Sequence, residues 1–250
     1  MSEQTIYNAP TLTDESLEEA RSLIGVELRH KQWNHIATRD AIWHYAYGIG
    51  DDNPLWCDAE YGKKTKYGDN IAPPTFLESV FVSQVAPKLR GIQWIYAGTD
   101  WQLSKPVLVN DEIFTKAKLV DAMWKYRGVV QRWILQIGEV TYHNQRGELI
   151  ARAYRRTARI PRTRAEGGMQ YEKRGPYNYT PEELRAIERD IEAEERRGDW
   201  PRYWENVAIG DELAPVVKGP LNITDMVGLL PNSLTSAMIV RIMSTRRNRR

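Results

Sequence analysis

The chain has 250 residues, 42% hydrophobic and 27% charged, with a formal net charge of +2. That composition excludes a disordered chain, a collagen or a coiled coil, and predicts a core large enough to need neither disulfide nor metal. Cys57 is the single cysteine. It rules out an intramolecular disulfide and a cysteine-built zinc cage, and it points to a reducing, cytoplasmic setting. No apolar run approaches the roughly 20 residues of a membrane helix. The opening MSEQTIYNAPTLTDES has neither the basic nor the apolar region of a secretion signal, so the expectation is a protein that is neither membrane-spanning nor secreted. Four of the last five residues are arginine, so the basic excess is a tail and no basic stripe of a nucleic-acid binder crosses the body.

In chain order, the first strong helical pattern opens at Thr38, with Ile42, Tyr45, Ala46 and Ile49 at the spacing of one helix face and Gly48 or Gly50 as its stop. After Pro73-Pro74, Thr75 and Glu78 read as a capping box. Phe76, Leu77, Val80, Phe81, Val82 and Val85 then spread apolar surface around most of a cylinder as far as Pro87. Such a helix must be wrapped on several sides. Residues 92–97, 112–123, 127–142 and 148–160 alternate as strands, and Asn144-Gln145-Arg146-Gly147 joins the last two as a hairpin. The fold class predicted is α+β, a long central helix rolled in a curled antiparallel sheet: the hot-dog arrangement. Thr180-Pro181-Glu182-Glu183 then caps a charged helix predicted to run to Gly198, with Leu184, Ile187 and Ile191 as a narrow apolar stripe.

The chain also echoes itself. Ile24-Gly25-Val26-Glu27-Leu28 returns as Ile209-Gly210-Asp211-Glu212-Leu213, and a threonine opens a helical pattern downstream of each, at Thr38 and Thr224. The division this predicts is a hot-dog domain over 1–162, a linker with a charged helix over 163–202, and over 203–250 an incomplete start of a second hot-dog domain with its basic tail.

Between the first two predicted helices lies Tyr45-Ala46-Tyr47-Gly48-Ile49-Gly50-Asp51-Asp52-Asn53-Pro54-Leu55-Trp56-Cys57-Asp58, followed by Gly68 and Ile71-Ala72-Pro73-Pro74-Thr75-Phe76. This resembles the MaoC-like dehydratase and (R)-specific enoyl-CoA hydratase family, whose signature is YA…GDxNPLHxD, and in particular its N-terminal, FAS1-like dehydratase type. The opening IGxEL and the late Asn144-Gln145-Arg146-Gly147-Glu148 fall in the same order over roughly residues 20–160.

The resemblance implies a hydro-lyase acting on acyl thioesters, hydrating a 2-enoyl-CoA or dehydrating a 3-hydroxyacyl-CoA. It implies no cofactor of the protein's own, the substrate carrying CoA or a carrier-protein phosphopantetheine. In the family an Asp and a His activate water, and a backbone N–H at the start of the central helix polarises the thioester carbonyl. By position the Asp is Asp51, while the His position holds Trp56 and the donor position falls on Pro73-Pro74, where proline has no N–H. Asn53, Trp56, Ala72, Pro73, Pro74 and Thr75 are the implied substrate-binding residues. The chain then reads as the half that shapes the acyl tunnel, the Asp/His pair lying elsewhere. Two alternatives stand beside this: a non-catalytic hot-dog subunit that binds acyl chains and stabilises a catalytic partner, and a hot-dog thioesterase in which a carboxylate activates water.

Plainer roles compete at each residue. Asp51 and Asn53 can simply build a turn, Cys57 can pack, and His30, His35, His44 and His143 show no metal-ligand spacing. Lys63, Lys64 and Lys66 can meet CoA phosphates or form a solvated helix face. A lone hot-dog sheet leaves an edge strand open, so pairing with a second copy or a homologous hot-dog subunit is expected.

Overall fold

The computed structural model describes residues 11–81, 84–127, 131–161, 175, 177–195, 200 and 202–217. They fall into two compact units, one within 11–161 and one within 175–217.

The first unit is built on one antiparallel sheet in which β1 (Gln93–Leu103), β2 (Ile113–Arg127), β3 (Gln131–Asn144) and β4 (Leu149–Ile160) take the order β1-β4-β3-β2. Alternation fixes which face is buried. Ala117, Val140, Ala153 and Trp101 share one rung and point to the core, and on the next rung Tyr142 stands between Thr115 and Ala151. Pairing is irregular between Tyr96 and Thr99 and between Leu119 and Asp121, and such extra residues increase the local twist and help the sheet curl. The bulge also explains why β1 continues past Ala97 to Leu103, beyond the predicted strand: pairing with β4 resumes once Ala97 and Gly98 have been accommodated.

Before the sheet come α1 (Asp14–Arg21), α2 (Arg39–Gly48), α3 (Pro54–Cys57) and α4 (Ala59–Lys64). The Thr38 hydroxyl accepts the Ala41 amide at 3.1 Å, so α2 begins where its cap predicts and buries Ile42, Tyr45 and Ala46. Helix α1 was not predicted, although Thr13 and Ser16 form a reciprocal capping box ahead of buried Leu17 and Ala20.

The central helix is much shorter than its apolar pattern predicts. A 3-10 turn, Pro74–Phe76, leads into α5 (Leu77–Val80), and Phe81 is already extended. The carbonyls that would continue the helix are taken by other donors. Asn34 Nδ2 donates to Ser79 O, the Trp33 amide to Val80 O at 2.8 Å, and the Tyr142 hydroxyl to Phe81 O at 2.9 Å. Burial is as predicted: Phe76, Leu77, Val80, Phe81 and Val85 all lie in the core. Val82 lies outside the described residues. The predicted capping box does not form either, because Glu78 turns to Arg155 on β4, with 3.3 Å between oxygen and nitrogen.

Beyond α5, Lys88 and Leu89 adopt left-handed backbone angles, φ 63° and 53°, unusual for side-chain-bearing residues. The buried Arg159 holds this turn from below, donating to the carbonyls of Ala86, Leu89 and Ile92 and to Gln136 Oε1. Burial lowers the pKa of this guanidinium from its ordinary value.

One long side of β2 is covered by the segment Ile24–Glu27 and by Ile36, through isolated backbone bridges. The outer side of β1 pairs with nothing among the described residues, and its Trp94, Ile95, Tyr96 and Leu103 are exposed.

In the second unit, α6 (Pro181–Glu192) carries the predicted Thr180 and Glu183 capping box. It stops at Glu192, short of Gly198, where the Glu194 amide closes back on the Ile191 carbonyl. Thr224 and the arginine tail lie outside the described residues.

Candidate functional site

The loop between α2 and α4 is held by its own polar side chains. Asp51 Oδ1 accepts the Asn53 amide at 3.1 Å, and Asn53 Oδ1 in turn accepts the Leu55 amide at 3.0 Å and caps α3, with Pro54 at its first position. Asp58 does the same for α4, accepting from Glu60 and Tyr61. Cys57 Sγ donates to Asp51 O at 3.6 Å, and burial followed by the nearby Asp51 and Asp52 carboxylates pushes its thiol pKa up. A thiol so placed is a poor nucleophile.

What ties this loop to the rest of the unit is Asn70, a residue that sequence reasoning passed over. It is 2% exposed, and its Nδ2 serves the carbonyls of Pro54, Leu55 and Asp58 at 3.3, 3.0 and 2.7 Å. Its Oδ1 accepts from Arg39 Nη1, while Arg39 Nη2 grips the Asp69 carboxylate. Gly62 makes room for this knot, since a Cβ there would sit 2.5 Å from the Asn70 amide nitrogen. The Ile71 amide then donates to Leu55 O, laying α3 beside the strand-like stretch that leads to Pro73.

That stretch walls a cavity of about 290 Å³, lined by Ile71, Ala72, Pro74, Leu77, Leu103 and Val107 among others, with Ser104 and Lys105 as polar members. Ala72 is pinned by its amide to Val107 O at 2.9 Å. Of the sequence-predicted site residues, Ala72 and Pro74 line this cavity. Asp51, Asn53, Trp56, Pro73 and Thr75 do not. Trp56 packs against the core, and its Nε1 is buried with no acceptor among the described residues. The Thr75 carbonyl receives the Tyr45 hydroxyl at 2.7 Å.

The histidines stand apart from this site. His30 bonds Leu28 O and the Thr115 hydroxyl and packs on Phe81, His44 is exposed against Trp43, and His143 lies on β3 near Lys116 and Arg152. Lys63 pairs with Glu60 on the α4 surface. Among the described residues no group of His, Cys, Asp and Glu could hold a metal ion, and no helix is long and apolar enough to cross a membrane.

A short buried helix laid in a curled antiparallel sheet, with an Asp-Asn-Pro loop beside the helix start, defines a hot-dog protein of the dehydratase and hydratase class. Residues 22–153, just over half the chain, match the family described as "FAS1-like, dehydratase domain region", and the chain belongs to that family. It is 30% identical over 125 residues to a UPF0336 protein of Streptomyces coelicolor, covering 46% of this chain and 79% of that protein. A UPF0336 protein of Parafrankia sp. is 29% identical over 121 residues, covering 45% and 76%. Among solved structures, a MaoC-like dehydratase superposes with a TM-score of 0.55 at 16% identity, over 85% of this chain and 66% of that one, which shows the shared fold.

Proposed function

We propose that this chain is the acyl-binding half of a 2-enoyl-thioester hydratase or 3-hydroxyacyl dehydratase, and that the proton chemistry is done by a partner hot-dog subunit. The observation that carries this is the pairing of an intact apolar cavity with a dismantled catalytic loop. The cavity walls suit an alkyl chain. At the loop, the position that would move a proton is Trp56, whose indole can donate a hydrogen bond but not act as an acid or base near neutral pH. The Asp51 carboxylate is engaged in shaping the turn. Pro73 and Pro74 offer no N–H where a thioester carbonyl would need one.

In this reading the thioester carries its own CoA or phosphopantetheine handle, no further cofactor takes part, and the exposed apolar side of β1 is where a second sheet joins.

Two measurements test it together. Crotonyl-CoA and longer enoyl-CoAs should bind to the purified chain, read by tryptophan fluorescence, without loss of enoyl absorbance. Leu103→Asp, at an exposed position on the cavity wall, should weaken binding while the melting temperature holds. Robust hydration by the pure chain would overturn the assignment, and release of free thiol would replace it with thioester hydrolysis.

A further inference from the structure

Of the residues that line the apolar cavity, Lys105 alone is charged, and its ammonium pairs with Glu148 Oε1 on the hairpin between β3 and β4. Its backbone is fixed in place. The Ser104 and Lys105 amides both donate to Ile150 O, at 2.8 and 3.1 Å. Ile71 and Leu108 form an antiparallel bridge and the Ala72 amide donates to Val107 O, so residues 71–74 and 105–108 run side by side in opposite directions. Lys105 therefore falls at the Pro74 end of the cavity.

The ion pair is one that Lys105 can leave without stranding its partner. Two further donors hold the other oxygen of Glu148: Asn144 Nδ2 at 2.7 Å and Arg146 Nε at 2.9 Å both reach Oε2. Oε1 can turn to water, since the Lys105 and Glu148 side chains are 49% and 36% exposed. Exposed pairs of this kind contribute little to stability. What displaces Glu148 must nevertheless be an anion, because a neutral thioester carbonyl offers the ammonium less than the carboxylate it gives up. A second carboxylate replaces like with like. An alkyl chain behind that carboxylate then adds the burial of apolar surface against the cavity wall. The volume of about 290 Å³ lies at the lower end of ligand cavities, which suits a short or medium chain.

We infer that this cavity also takes a free fatty acid of short or medium chain, its alkyl part against Ile71, Leu77, Leu103 and Val107 and its carboxylate on Lys105, which turns from Glu148 to receive it. Acid and thioester share one alkyl seat, so each excludes the other. The acid site goes beyond the thioester role proposed above but rests on the same acyl cavity. Lys105 is the residue that tells the two head groups apart.

To test it, octanoate, methyl octanoate and unacylated CoA are titrated into the full chain at pH 7, with affinities from calorimetry and the Lys105 Nζ and Glu148 Cδ signals followed by NMR. Octanoate should move both signals and methyl octanoate neither. The preference for octanoate over methyl octanoate should fall about threefold or more in Lys105→Met and be kept in Lys105→Arg, both variants melting as the wild type does. A preference that survives Lys105→Met, or a Glu148 signal that octanoate leaves in place, would overturn the acid site. Movement of the Glu148 signal by unacylated CoA to the same extent would also overturn it, since the anion on Lys105 would then be a phosphate. If 2-enoyl-CoAs bind and octanoate does not, the acid site is overturned and the proposed function stands; if neither binds, both fall with the cavity.

Discussion

Gly138, in the middle of β3, lies directly beneath Val85: a Cβ on Gly138 would come within 2.1 Å of the Val85 Cβ. The absent side chain lets the segment that follows α5 settle onto the sheet, between the Val140 rung and the Gln136 side chain that donates to Pro87 O. Gly138→Ala therefore forces that segment off the sheet. Overpacking of this kind costs about 1–3 kcal/mol, and a backbone-proximal clash belongs at the upper end. Urea unfolding should show it as a lower midpoint at unchanged slope.

Asn70 predicts a different kind of loss. Asn70→Ala would strip one buried donor group from three carbonyls and one acceptor from Arg39. Buried polar groups left unpaired cost about 1–3 kcal/mol each, with water recovering part of that at the loop surface, so a net loss of about 2–4 kcal/mol is expected. Asn70→Asp should be at least as damaging, since it turns an acceptor toward three acceptors. Thermal melts of both variants, with limited proteolysis across 51–58, would show whether the loop loosens first.

The fold was legible where periodicity and burial agree. The strands β2 to β4, the hairpin and α2 announce themselves through alternation or a capped amphipathic face, and the structure gives them back within a few residues. The central helix misled because its apolar residues do become buried, while its length is decided by Trp33, Asn34 and Tyr142, which reach in from distant parts of the chain to claim its carbonyls. Periodicity reports burial and says nothing of competing donors. At the site, Asp51 and Asn53 were visible as turn formers, but Asn70 reads in sequence as one more polar loop residue beside Gly68 and Asp69. Its importance comes from three carbonyls brought together only by the fold.

Glu78 predicts a pH effect with a definite sign. Burial raises the pKa of its carboxyl above the ordinary glutamate value, and the partial opposition of Arg155 does not cancel it. A carboxyl whose folded pKa exceeds its unfolded one binds more protons in the folded state between the two values, so its contribution to stability declines as pH rises through that interval. Below the unfolded pKa there is no difference, and above the folded pKa the whole cost is felt. Glu78→Gln should therefore gain stability relative to the wild type as pH is raised from about 4 to 7. Urea unfolding at both pH values measures the difference, and a relative loss on raising the pH would contradict the assignment.

Trp56→His would return an imidazole to the position that the dehydratase pattern gives to its histidine, yet the structure leaves two obstacles. The Asp51 carboxylate receives the Asn53 amide on Oδ1, so its orientation is set by the turn and a water shared with the new imidazole must fit that orientation. Pro73 still caps and Pro74 still opens the 3-10 turn, and neither proline has an N–H to offer a carbonyl. A positioned acid and base contribute about 10²–10⁴-fold, and an oxyanion donor about 10²–10³-fold, each depending on the other being in place. Trp56→His alone should thus leave crotonyl-CoA hydration within about tenfold of the uncatalysed rate, whereas the combined effect of Trp56→His with Pro74→Gly should exceed the product of the two separate effects. Pro74 begins the turn at an exposed position, so glycine there removes rigidity without opening the core. Single-turnover rates for the three variants, each checked by its melting temperature, decide the matter: additive effects would mean that the two positions do not face one substrate.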